Sequence, residues 1–133
     1  MPIKLTEYSY GSKRRRGEGF RIGSTRYPPR GVRPKYYARR NLMDVWLPTL
    51  APSRKLLDWA KRTALPDAKR WKVFVRRYRN EMKNTAPRQT IRMLAKLANV
   101  TPISVGCFCE GPRCHRFELE RLIRQAAKAK EGA

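Results

Sequence analysis

The sequence predicts an α/β fold: a single small domain whose few-stranded, at least partly parallel sheet packs with about four helices. Three observations predict it. Short segments rich in β-formers fill the N-terminal third. Segments with apolar residues at helical spacing follow. A late apolar run then turns through a glycine–proline corner into a final helical stretch, which is the strand-turn-helix order of α/β domains. The domain is expected over residues 3–128, with residues 129–133 as a frayed C-terminal tail.

Each element has its own signal. Residues 3–10 alternate and predict a strand. Residues 11–19 form a basic loop flanked by glycines, and residues 20–25 resume a short strand. The pair Pro28-Pro29 removes two donors and fixes φ, so residues 26–31 are irregular. Residues 41–47 are apolar and fit a short strand or one turn of helix. Pro52 and Ser53 open a helix that buries Leu56, Leu57 and Ala60. Asp67 is the expected N-cap of the next helix, where Trp71, Phe74, Val75, Tyr78 and Met82 share one face. Pro87 starts a third helix, with Ile91, Leu94, Ala95 and Ala98 inward and Arg88, Arg92 and Lys96 outward. Residues 101–109 read as a buried strand. From Cys114 a last helix runs to about Lys128, burying Leu119, Leu122, Ile123 and Ala126.

A chain of 133 residues with 41% hydrophobic content can bury a real core. No apolar run approaches the ~20 residues of a membrane span, and the N-terminus has no signal-peptide core, so a cytoplasmic protein with no membrane association is expected. Charge is the strongest compositional signal: 32 Lys and Arg against 10 Asp and Glu, a net +22. The excess concentrates in residues 1–40 and 67–98. Such a field attracts polyanions, nucleic acid among them. The plain alternative is a solvated basic surface, as in a thermophile or an organism with a basic proteome.

The richest stretch for chemistry is residues 107–116, Cys-Phe-Cys-Glu-Gly-Pro-Arg-Cys-His-Arg. It joins a core strand to a helix, where open α/β sheets bind ligands. The helix N-terminus favours an anion. Cys109 or Cys114 could be a nucleophile there, His115 a general acid or base, and Glu110 its partner. These four are the candidate catalytic residues. Arg26, Arg30, Arg113 and Arg116 are the candidate anion ligands. Against this stand plainer roles: Cys107 as core filler, His115 as a local hydrogen-bonding group, Arg113 as a solvated turn residue. Cys107 and Arg113 match the C-x5-R spacing of phosphatase and rhodanese loops, a weak signal in so arginine-rich a chain. A disulfide between Cys109 and Cys114 is a further alternative. The cysteine spacing lacks the paired pattern of zinc fingers, so no metal and no cofactor are expected.

Several segments, in order, resemble the domain-of-unknown-function 488 family. Arg26-Tyr27-Pro28-Pro29-Arg30-Gly31, Asp44-Val45-Trp46-Leu47 and Leu50-Ala51-Pro52-Ser53 resemble its YeaO-like branch. Cys109-Glu110 and Cys114-His115-Arg116 resemble the cysteine-x-glutamate … cysteine-histidine-arginine ending of the wider family. The resemblance covers roughly residues 3–125. Thr25 stands where that branch resembles an aspartate, and Pro28 where it has tryptophan. The family brings no established activity. Two function classes therefore stand side by side. One is an anion-binding, catalytic site at the strand-turn-helix junction, taking a small anionic ligand. The other is a non-catalytic nucleic-acid-binding module using Lys13, Arg14, Arg15, Arg16, Arg39, Arg40 and Arg76. A structural protein with incidental charge is the third possibility.

Overall fold

Residues 103–107 (Ile-Ser-Val-Gly-Cys) carry no charge and no large polar group, and all five are buried. Such a run suits the interior of a parallel sheet, where both faces are covered. The computed structural model describes residues 3–109, 111 and 113–129. Its elements are β1 (Leu5–Ser9), β2 (Phe20–Gly23), β3 (Val45–Trp46), α1 (Arg54–Arg62), α2 (Asp67–Glu81), α3 (Thr85–Val100), β4 (Ile103–Cys107) and α4 (His115–Lys128). Short 3-10 turns occupy Pro34–Tyr36 and Pro48–Leu50. The sheet order is β1-β4-β2-β3 and every pairing is parallel. The last strand in sequence thus lies between the first two, with Ser9 beside Cys107 and Gly23 beside Gly106.

One face of the sheet carries the helices. Leu5, Ile22, Ile103 and Val105 pack there with Leu56, Phe74, Tyr78, Ile91, Leu94 and Leu119. Ser53 caps α1: its hydroxyl accepts from Leu56 N–H at 3.0 Å, while its own N–H donates to Glu81 at 2.8 Å. That ties the start of α1 to the end of α2. The expected helix faces are the buried ones, with Arg88, Arg92 and Lys96 of α3 exposed. Boundaries differ in two places. Asp67 lies inside the first turn of α2, pairing with Arg70, and Pro66 holds the cap position. Helix α3 starts at Thr85 after Asn84, so Pro87 sits within its first turn, where its missing N–H costs nothing. The apolar segment 41–47 resolves as a strand, β3.

The other face is narrow and polar. Tyr8 lies flat against Gly106, where an added Cβ would come within 2.5 Å of the ring. Tyr8 Oη donates to Leu42 O at 2.7 Å. Beside it lies Arg21, with no solvent exposure. Its guanidinium stacks over the Tyr8 ring at 4.2 Å, binds both oxygens of Glu18 and donates to Asn41 O at 2.6 Å. Its backbone N–H donates to Asp44, which Arg14 holds bidentately at 2.8 and 3.0 Å. Burial pushes the Glu18 carboxyl up, but hydrogen bonds from Arg21 and the Arg15 N–H outweigh it and bring it down to about 2.

Glu18→Gln should therefore destabilise the protein by about 3–5 kcal/mol at neutral pH, because it strands a buried guanidinium. The sign of the pH effect follows from the lowered folded value. The Glu18 contribution is complete above its unfolded value of 4.5 and is lost as pH falls toward about 2. Urea unfolding across that window should show wild type weakening more steeply than Glu18→Gln. Equal slopes would assign the acid sensitivity to another group.

Candidate functional site

β4 delivers Cys107 to the carboxyl edge of the sheet, and its side chain points to the helical face, toward the start of α4. Two donors meet its sulfur. Cys109 N–H donates at 3.3 Å, and Arg116 Nη1 donates at 3.4 Å. Both favour a thiolate over a thiol. Arg116 is itself fixed: Nε donates to Glu7 at 2.7 Å, and Nη1 also donates to Cys109 O. The sulfur of Cys107 lies against that of Cys114, the cap residue of α4.

His115 follows Cys114 and is buried. Its Nε2 lies 2.8 Å from Ser24 O and 3.1 Å from Ser24 Oγ. A carbonyl only accepts, so Nε2 carries the proton and Nδ1 is left as acceptor, 3.9 Å from Cys114 Sγ. The Tyr78 ring meets the imidazole edge-on at 5.5 Å. Burial lowers the His115 pKa; the bond to Ser24 O opposes this and Arg116 reinforces it, leaving it at about 4. At neutral pH the ring is uncharged. The sequence suggested a group changing charge near neutrality, but burial outweighs the Ser24 bond that would favour an imidazolium.

The other candidate residues fall in different places. Cys109 is exposed and free, so the sulfur that meets Cys114 is that of Cys107 rather than that of Cys109. The reason is position: Cys107 is the last inward residue of the strand, and Cys109 lies beyond it. Glu110 lies outside the described residues. Arg113 is exposed. Arg26 turns away from the junction, donating to Ala51 O and Pro52 O at 3.1 Å each. Arg30 lines a cleft of about 450 Å³ with Tyr27, Arg40 and Phe108. It therefore lies beside the junction, whereas Arg116 lies inside it. Thr25 hydrogen-bonds Tyr10 Oη at 3.0 Å. In the basic loop, Arg14 is held by Asp44 and Arg15 by Glu18, while Lys13 and Arg16 are exposed. Arg39, Arg40 and Arg76 are also exposed.

Among the described residues, Cys107, Cys114 and His115 form a group whose ligand atoms lie within 4.8 Å of one another. They could hold a soft cation only when the cysteines are reduced. The Arg116 guanidinium on Cys107 opposes that, because a divalent ion would face a fixed positive charge at short range. Three residues that meet at this junction were not among the sequence candidates: Glu7, Ser24 and Cys107. The first two meet the site from 109 and 91 residues away, beyond any local pattern. Cys107 did leave a trace, in its place at the end of the strand and in the C-x5-R spacing.

A family model described as DUF488-N3a, active DUF488-N3 subclade, matches residues 5–127. No curated protein and no solved structure matches the chain.

The folded state binds the His115 proton less readily than the unfolded chain does. Its stability contribution is thus complete above about 6.5 and lost as pH falls toward about 4. Nitrogen-detected NMR should show a neutral ring protonated at Nε2 at pH 7, with a midpoint near 4. A midpoint above 6 would mean that the imidazole is solvated and the tautomer assignment is wrong.

Proposed function

The chain belongs to the DUF488 family, within its active DUF488-N3 subclade, and on that footing we propose that it is a thiol enzyme acting on a small anionic sulfur donor. The observation that carries this is the Cys107 sulfur: it receives a backbone N–H and a buried guanidinium while lying against a second cysteine. An affinity to the YeaO-like branch is part of the same proposal, supported by the ordered segments at residues 44–47 and 50–53.

In the reduced state the two donors stabilise a Cys107 thiolate, the form that attacks. Arg30 and Arg40 give the adjoining cleft the charge to collect an anion one residue away, at Phe108. The second thiol favours sulfur as the atom transferred. A phosphoryl adduct would leave Cys114 without a role. With a sulfane donor, the Cys107 thiolate attacks the outer sulfur. The donor S–S bond breaks, and the remainder leaves as an anion with the electron pair. The Cys114 thiol, whose S–H donates to His115 Nδ1, then attacks Cys107 Sγ; its proton passes to the departing sulfur, which leaves as hydrosulfide while the Cys107–Cys114 bond forms. An external dithiol reopens it.

Thiosulfate with excess dithiothreitol is the direct assay, read as sulfide release. Cys107→Ser should abolish turnover, and Cys109→Ser should keep most of it. Cys114→Ser should accumulate a persulfide on Cys107, visible by intact-mass and peptide-mapping spectrometry. A persulfide carried on Cys109, or none on any cysteine, would remove Cys107 as the nucleophile.

A further inference from the structure

A second concave surface lies at the other end of α4. A groove of about 1100 Å³ runs between α2, α3 and the C-terminal half of α4, reaching Gln125 and Ala129. From Cys114 to Gln125 is eleven residues, or about 17 Å along a helix. None of the residues lining the groove belongs to the thiol site.

Its charge is one-sided. Arg76 of α2, Lys83 of the turn that follows it, Arg88 and Arg92 of α3 and Lys55 of α1 line it, and all five are exposed. None of these five is in an ion pair among the described residues. Two other arginines of α2 are already engaged: Arg79 holds Glu118 at 2.7 Å, and Arg77 lies over the Trp59 ring. The one acidic residue among the lining residues is Glu81, whose carboxylate is turned to Ser53 N–H and hydroxyl. Among the described residues, these five cations therefore face the groove with no carboxylate turned toward them. Between the walls lie Ile91, Ala95 and Leu122, with the amides of Asn80, Gln89 and Gln125.

We infer that this groove binds a nucleic-acid strand through its phosphodiester backbone. Three features favour a nucleic acid over an acidic polypeptide. Arg88 and Arg92 are one helical turn apart, about 6 Å of rise, which matches the step between successive phosphates. The amides can pair with base edges, and the aliphatic floor offers the bases an apolar surface. The net charge of +22 extends the attraction well beyond the groove, as a long polyanion requires and a short acidic segment does not.

Fluorescence anisotropy with a labelled single-stranded oligonucleotide, over about 50–200 mM salt, tests this. Wild type should bind with affinity that falls linearly on a log–log salt plot. The double variant Arg88→Gln/Arg92→Gln should lose about tenfold or more in affinity and lower the salt slope by about 1.4. Lys13→Gln/Arg16→Gln removes the same charge elsewhere and should lose less than threefold. Arg76→Gln/Lys83→Gln, on the opposite wall, should repeat the first result and guards against a folding defect peculiar to α3. Equal losses at the groove and at the basic loop would overturn the proposal in favour of diffuse attraction. So would an absence of binding at the lowest salt, or displacement by polyglutamate as effective as that by unlabelled oligonucleotide. Sulfide release by Cys107 is measured separately, so either proposal can fail alone.

Discussion

A strand with neighbours on both edges and packed side chains on both faces has no water to satisfy its backbone or to accept its side chains. β4 is such a strand, and it meets the constraint with small and β-branched residues throughout. Its geometry propagates outward. Gly106 leaves the only room in which the Tyr8 ring can lie flat, and Tyr8 in turn provides the surface on which Arg21 stacks. Inward-facing Cys107 is held at the point where the ladder stops, so its sulfur lies where the next helix begins. The N–H and guanidinium aimed at that sulfur are supplied by the chain that leaves the strand.

The few acids of this chain are mostly engaged by its own arginines. Glu18 neutralises Arg21 behind the sheet, Glu7 fixes Arg116 beside the sulfur, and Glu118 joins α2 to α4 through Arg79. The buried ones sit where an unpaired charge would be costly. Arginine thus serves as the rigid partner of these acids in the interior, at Arg21 and Arg116 above all.

Much of the architecture was legible in the sequence because it rests on periodicity. The apolar series through Phe74, Tyr78 and Ile91 to Ala98 marked the helix faces, and the strand-turn-helix ending marked the junction. The limits of the helices were less legible. Asp67 is a better capping residue than Pro66 by chemistry, yet the turn before α2 places it one residue inside. The order of strand, turn and helix at residues 107–116 was legible, but the contacts of its side chains were not, because they depend on partners far away in sequence. Nothing near Arg116 announces that Glu7 will occupy it, and nothing near Arg26 announces the carbonyls of residues 51 and 52. Cys107 reads as core filler in the sequence, and it is buried; the contacts of its sulfur with Cys109 N–H and Arg116 come from residues beyond the strand.

The sheet order also bears on how the chain becomes a protein during synthesis. β1 and β2 leave the ribosome first, but they are not neighbours: each pairs with β4, which follows some eighty residues later. Until β4 inserts between them, β1 lacks its ladder partner and β2 has only the two-residue β3. Even then β1 awaits α4, whose Arg116 and Arg124 bind Glu7 and the Leu5 carbonyl. Vectorial folding from the N-terminus is therefore closed to this domain. The β1 and β2 edges that β4 covers in the native sheet stay unpaired until residues 103–107 are present, which makes the sheet dependent on contacts distant in sequence.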